Sequence, residues 1–166
     1  MKKLRLLLWE DCPKKCEGCC NKDWDLKSLP QVKDYSPYDK IMLTGGEPLM
    51  YPDKLYKIIK EIRKANIFAN LIVYTSILES DIFFKVLDLV DGITVTIHTP
   101  SQVADLVSIN LQLLKQDWML TRKSLRINVF RGVEVGHINL RGWKGKANIE
   151  WIKNCPLPEG EVFYRY

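Results

Sequence analysis

Short runs of Val, Ile and Leu, separated by stretches of helical period, leave this chain few ways to fold. Residues 4–9, 40–44, 70–75, 92–98 and 125–130 read as buried strands. Between them Leu55, Ile58, Ile59 and Ile62 recur on one helical face, with Pro52 suited to the first helical position. Phe83, Val86, Leu87 and Val90 repeat that spacing. Thr99-Pro100-Ser101-Gln102 has the form of a capping box. Val103, Leu106, Val107 and Leu114 then supply the apolar stripe of the helix it opens. Strand followed by helix, repeated along a chain, predicts an α/β fold: an incomplete parallel (β/α) barrel of about five or six strands. Active sites in such folds lie at the carboxyl ends of the strands.

The C-terminal stretch is less regular. Glycines 132, 136, 142 and 145 interrupt it, residues 133–140 read as an extended ribbon, and residues 161–166 alternate like a final strand. No linker or repeat divides the chain, so residues 1–166 are expected to form one domain. Hydrophobic residues at 46% and charged residues at 27% exclude a disordered chain. The net charge of +5 is scattered, which gives nucleic-acid binding no support. The apolar run after Lys2, Lys3 and Arg5 ends at Trp9, too short for a secretory core or a membrane span. A cytoplasmic protein without a membrane partner is expected.

Four of the five cysteines crowd between positions 12 and 20. An odd count without an export signal argues against a disulfide framework and for metal or redox work. Cys12-Pro13-Lys14-Lys15-Cys16-Glu17-Gly18-Cys19 follows the first predicted strand directly. Three thiolates so spaced can each ligate a different iron of a [4Fe-4S] cluster, leaving one iron open to a bidentate ligand. The plainer alternative is structural zinc, which takes four protein ligands. Cys20 is poorly placed as the fourth, and Cys155 would have to fold back. Cys155 itself reads as a buried free cysteine, with a relay thiol or cluster ligand as the other options.

Thr44-Gly45-Gly46-Glu47-Pro48 closes the second predicted strand. Glycines there let backbone approach a ligand closely, and Glu47 brings a carboxylate to the sheet's carboxyl edge. Taken alone it would be a common strand-to-helix corner. Thr75, Ser76, His98, Thr99, Asn128 and Arg131 stand at or beyond other strand ends. Of these, Ser76, His98 and Asn128 are candidate binding groups by position. Ser76 serves equally as a turn residue, and Thr99 as a helix cap.

The cysteine loop and the Gly-Gly-Glu-Pro turn together resemble the radical S-adenosylmethionine superfamily. The resemblance implies that Cys12, Cys16 and Cys19 hold the cluster and that Gly45, Gly46, Glu47 and Pro48 lie against the methionine amino group of S-adenosylmethionine. It also implies polar groups such as Ser76, His98 and Asn128 at the cofactor's carboxylate and ribose. The implied reaction is reductive cleavage of S-adenosylmethionine, with a 5′-deoxyadenosyl radical then abstracting hydrogen from substrate. The superfamily usually has an aromatic residue before the third cysteine; here it is Gly18, so an adenine contact must come from elsewhere. Cys16-Glu17-Gly18-Cys19-Cys20-Asn21 with Trp24 is similar to the activating enzymes of anaerobic ribonucleotide reductase, which act on a large glycyl-radical partner. Cys20 departs from the aromatic residue of that group. Thr-Gly-Gly-Glu-Pro-Leu is equally similar to 7-carboxy-7-deazaguanine synthases, which act on a small molecule. A reduced flavodoxin-type electron donor, steered by Lys14 and Lys15, and a large protein substrate are the partners this resemblance implies. Solvated lysines are the plainer reading of Lys14 and Lys15. Arg141, Trp143, Lys144 and Lys146 form a basic tract that could meet an acidic partner or a phosphate, against the plainer reading of a solvated loop with a packed tryptophan. Two rivals stand beside the enzyme: a non-catalytic binder of cluster and cofactor, and a zinc-stabilised interaction module.

Overall fold

The computed structural model describes residues 1–166. Seven strands form one sheet: β1 (Lys3–Leu7), β2 (Lys40–Thr44), β3 (Asn70–Thr75), β4 (Gly92–Ile97), β5 (Ser124–Phe130), β6 (Trp143–Ile149) and β7 (Glu161–Arg165). Their order is β6-β5-β4-β3-β2-β1-β7, and every pairing is parallel. Helices α1 (Pro52–Ala65), α2 (Ser80–Leu89), α3 (Val103–Leu114) and α4 (Asp117–Arg122) fill the connections between β2 and β5.

Parallel pairing needs crossovers, and the crossovers put all four helices on one face. Leu4, Leu6, Ile41, Leu43, Leu71, Val73, Ile93, Val95, Leu125 and Ile127 alternate along the strands and join one core with the buried residues of α1 to α4. The α1 stripe is the predicted one, Leu55, Ile58, Ile59 and Ile62. Each such side chain contributes about 1.5–3 kcal/mol by burial. In α3 the buried stripe is Leu106, Ile109, Asn110 and Leu113, rotated from the expected one, so Val103, Val107 and Leu114 are only half-buried. The rotation brings Asn110 inward. Its Nδ2 donates to the Asn139 carbonyl at 2.6 Å, and its Oδ1 accepts from Trp143 Nε1 at 3.1 Å.

The sheet departs from expectation on the C-terminal side. It has seven strands instead of five or six; its edge strands β6 and β7 do not pair with each other, so the sheet stays open, in keeping with the expected incompleteness. Residues 133–140 are irregular, with one turn at 136–138, and the strand comes later, at Trp143–Ile149. That Trp-Lys-Gly-Lys-Ala-Asn-Ile sequence is exposed over most of its length, so it lacks the apolar alternation that would have marked it. The tract containing Lys144 and Lys146 is therefore an edge strand and not a loop. The final strand lies where it was expected in sequence, beside β1. To get there from β6, residues 150–160 travel from one edge of the sheet to the other.

No helix is long and apolar enough to cross a membrane.

Candidate functional site

The loop after β1 folds back onto the turn after β2, and two glycines make this possible. The Gly46 amide donates to the Trp9 carbonyl at 2.7 Å, and the Glu47 amide to the Asp11 carbonyl at 2.9 Å. Gly45 has φ +140°, and a side chain there would press on the Trp9 carbonyl. At Gly46 a Cβ would overlap the Asp11 backbone. Here the close approach that requires glycine is made by the cysteine loop itself. Asn21 Nδ2 then closes the loop on the turn, donating to the Gly45 carbonyl at 2.7 Å. The Glu47 carbonyl accepts from Trp9 Nε1 and the Met50 amide, whereas the Gly46 carbonyl has no hydrogen-bond partner.

Glu47 is 1% exposed, and its carboxylate is fully engaged. Oε1 accepts from Thr75 Oγ1 at 2.5 Å and the Leu49 amide at 3.1 Å; Oε2 accepts from the Ser76 amide at 2.8 Å and Ser76 Oγ at 3.0 Å. This carboxylate ties the end of β2 to the end of β3. It lies at the carboxyl edge, as expected, but buried and with its oxygens turned to the protein's own donors. Pro48 is buried as the first residue of a single 3-10 turn.

Cys12, Cys16 and Cys19 are free and half-buried. They line one cleft with Gly45, Gly46 and Glu47. Ser76 and His98 lie on its far wall, shared with an adjoining cavity of about 850 Å³ that includes Lys14, Cys16 and Gln102. Burial raises the Cys12 thiol above its ordinary value, against the Lys14 amide, with Glu47, Cys16 and Cys19 adding to the rise. Burial also raises Cys16, followed by the charge of Cys19. Holding these groups as thiolates requires positive charge in the cleft, which a bound metal supplies. Lys14 is not a solvated lysine: its Nζ donates to the Ser76 carbonyl at 2.9 Å, and burial lowers its pKa. Lys15 is exposed.

No three of the His, Cys, Asp and Glu side chains converge as ligands of a single ion. A four-iron cluster takes its thiolates on separate irons, so three thiols spread around one cleft suit it better. The remaining cysteines correct an expectation. Cys20 and Cys155 are joined as a disulfide across 135 residues. Neither is the free thiol expected at 155, and neither is left to complete a tetrahedral zinc site. Around this bond Trp24 Nε1 donates to the Cys155 carbonyl at 3.1 Å and the Cys155 amide to Asp23 Oδ2 at 2.9 Å. The loop after the third cysteine is thus fastened to the C-terminal crossing segment.

That segment also carries a residue the sequence did not single out. The Trp151 side chain lies where a side chain at Gly18 would go; a Cβ there would overlap the indole. Trp151 stacks on His98 at 5.2 Å with 11° between the planes, and Phe130 lies 4.3 Å from it. The only hint was the missing aromatic residue at Gly18, and nothing in the spacing links it to position 151. His98 Nδ1 is buried without a partner, and burial, followed by the Lys14 charge, lowers its pKa to about 4. The expected capping box is present: Gln102 Oε1 accepts from the amides of Thr99 at 3.2 Å and His98 at 2.8 Å. Asn128 is not brought to the cleft; it lines a separate cavity on the sheet face.

A family model described as a 4Fe-4S single cluster domain matches residues 3–113, more than half the chain. The chain belongs to this family. As a 4Fe-4S single cluster domain it has its cysteine loop, Gly-Gly-Glu-Pro turn, Ser76 and His98 inside the matched region, with Asn128, Trp151 and Cys155 beyond it. No curated protein matches the chain.

Proposed function

We propose that this 4Fe-4S domain is a radical S-adenosylmethionine enzyme, with Cys12, Cys16 and Cys19 as its cluster ligands. The observation that carries this reading is that three free thiols share a cleft with the Gly-Gly-Glu-Pro turn while the other two cysteines are bonded to each other. Three ligands for four irons leave one coordination position for an incoming amino acid. When bound, the cluster supplies the electron that cleaves S-adenosylmethionine and so generates a carbon-centred radical for hydrogen abstraction.

The chain's own groups have distinct tasks in this reading. The unpaired Gly46 carbonyl accepts from the methionine ammonium. Glu47 acts at one remove, holding Ser76 and the turn in place. Trp151, seated over Gly18 and stacked on His98, supplies the adenine contact that Gly18 lacks. The neutral imidazole of His98 lines the cavity and seats Trp151 without repelling the sulfonium. Exposed Lys15, beside Cys16 on the cavity rim, faces a reduced flavodoxin-type donor. The substrate belongs to one of two classes, a glycyl-radical protein or a small molecule.

Anaerobic reconstitution with iron and sulfide tests this. We expect a brown protein that releases 5′-deoxyadenosine from S-adenosylmethionine on reduction. A colourless, zinc-loaded product overturns the reading, and cofactor binding without deoxyadenosine makes the chain a non-catalytic binder.

A further inference from the structure

The two faces of the sheet carry opposite chemistry. Four helices cover one. On the other, Tyr74, Thr94, Arg126 and Lys144 are register partners across β3, β4, β5 and β6 and therefore point the same way. The next row toward the carboxyl ends contains Thr96, Asn128 and Lys146. Together these residues line a cavity of about 300 Å³, with Thr96 set back from it.

Three features mark this cavity as a binding site. Arg126, Lys144 and Lys146 have no carboxylate partner; the ion pair on this face, Arg5 with Glu161 at 2.8 Å, involves other residues. Thr94 is 4% exposed, and its Oγ1 has no hydrogen-bond partner. A buried hydroxyl left without a partner is unfavourable, so a ligand that fills it recovers that loss. Lys40 stands in the same field: burial first, then the Arg126 charge, lowers its pKa. The cavity also neighbours the cysteine cleft: Tyr74 lines both, and Thr96 on the cleft wall pairs with Asn128.

We propose that this cavity binds the phosphate or carboxylate group of a small-molecule substrate, with Arg126, Lys144 and Lys146 neutralising the charge and Thr94 donating a hydrogen bond. The guanidinium of Arg126 presents a planar fork to an oxyanion, and the two lysines add point charges. Anchored there, the substrate extends past Tyr74 toward the cleft where hydrogen is abstracted. As a substrate site this rests on the radical-enzyme reading; as an anion site it stands without it.

Isothermal titration of the reconstituted protein with tripolyphosphate, and separately with citrate, tests the site without any turnover. Saturable binding of either is expected, and the tighter of the two identifies the anion source. Arg126→Gln and Lys144→Gln should each weaken it about tenfold, the loss of one charge-assisted hydrogen bond. Thr94→Val should weaken it less, and Lys57→Gln on the exposed side of α1 should not change it. Absence of saturable binding, or equal weakening by Lys57→Gln, overturns the proposal. Saturation by a polyglutamate peptide but by neither small anion overturns it in favour of protein docking. Anion binding in a protein that makes no deoxyadenosine would sink the radical reading and leave the anion site in place.

Discussion

The residues that meet at the carboxyl edge of the sheet come from two very different parts of the chain. The N-terminal part builds its site locally: the loop after β1 packs on the turn after β2, and Glu47 reaches one strand further to Ser76. The C-terminal part contributes by passing over that edge on its way from β6 to β7, laying Trp151 on Gly18 and bonding Cys155 to Cys20. In the proposed reading one part holds the cluster and the other covers it. Where ligands are close in sequence, spacing announces the chemistry. Where a residue reaches the site only because a crossing segment happens to pass it, nothing in its own neighbourhood does.

The largest effect should separate the two sets of cysteines. Replacing Cys12, Cys16 or Cys19 by alanine should abolish the brown absorbance of anaerobically reconstituted protein. Cys20→Ser with Cys155→Ser should leave it, because the disulfide pair fastens the cover and ligates nothing. Loss of colour in the double variant would merge the two regions into one metal site.

A smaller effect is expected at Glu47, within the N-terminal part. Glu47→Gln keeps the shape but turns an NH2 toward donors from Thr75, Ser76 and Leu49. Stability of the metal-free protein should fall by about 1–3 kcal/mol, read from urea midpoints at constant slope. An unchanged midpoint would mean that the carboxylate is free to serve a ligand.

The same contrast explains what was legible in the sequence. The strands β1 to β5 were readable because each is buried on its helix side and bounded by turns, and α1 because its stripe follows the helical period. Strand β6 was not, since an edge strand with lysines on its open face buries too little to impose a pattern. Cys12, Cys16, Cys19 and the glycine turn were legible as local motifs. The disulfide contradicts an argument from cysteine parity, which counts residues and cannot see that the fold brings Cys155 to Cys20 across 135 residues. Asn128 was placed by its strand end alone, and the register carries it onto the basic face instead.

The covering role of the C-terminal part is tested by Trp151→Ala. Losing one aromatic stacking partner should weaken S-adenosylmethionine binding about tenfold while leaving the cluster in place. A variant that binds the cofactor normally would reduce Trp151 to a packing residue, and one that loses its cluster would make the cover part of the metal site.

A pH-dependent effect lies where the two regions touch, at His98 under Trp151. Burial depresses the folded-state pKa from 6.5 to about 4, so the neutral ring is the form that the fold accepts. Between those values the unfolded chain binds a proton that the folded protein refuses, so the unfolded state gains as pH falls. The contribution is therefore whole above pH 6.5 and declines on acidification toward pH 4. His98→Gln should flatten this part of the stability profile of the metal-free protein, leaving the carboxylate-driven acid limb unchanged. Trp151→Ala, by letting water reach Nδ1, should flatten it partway. If Trp151→Ala leaves the profile as steep as wild type, the burial of His98 comes from β4 and α3 alone, and the C-terminal segment does not close that side of the cleft.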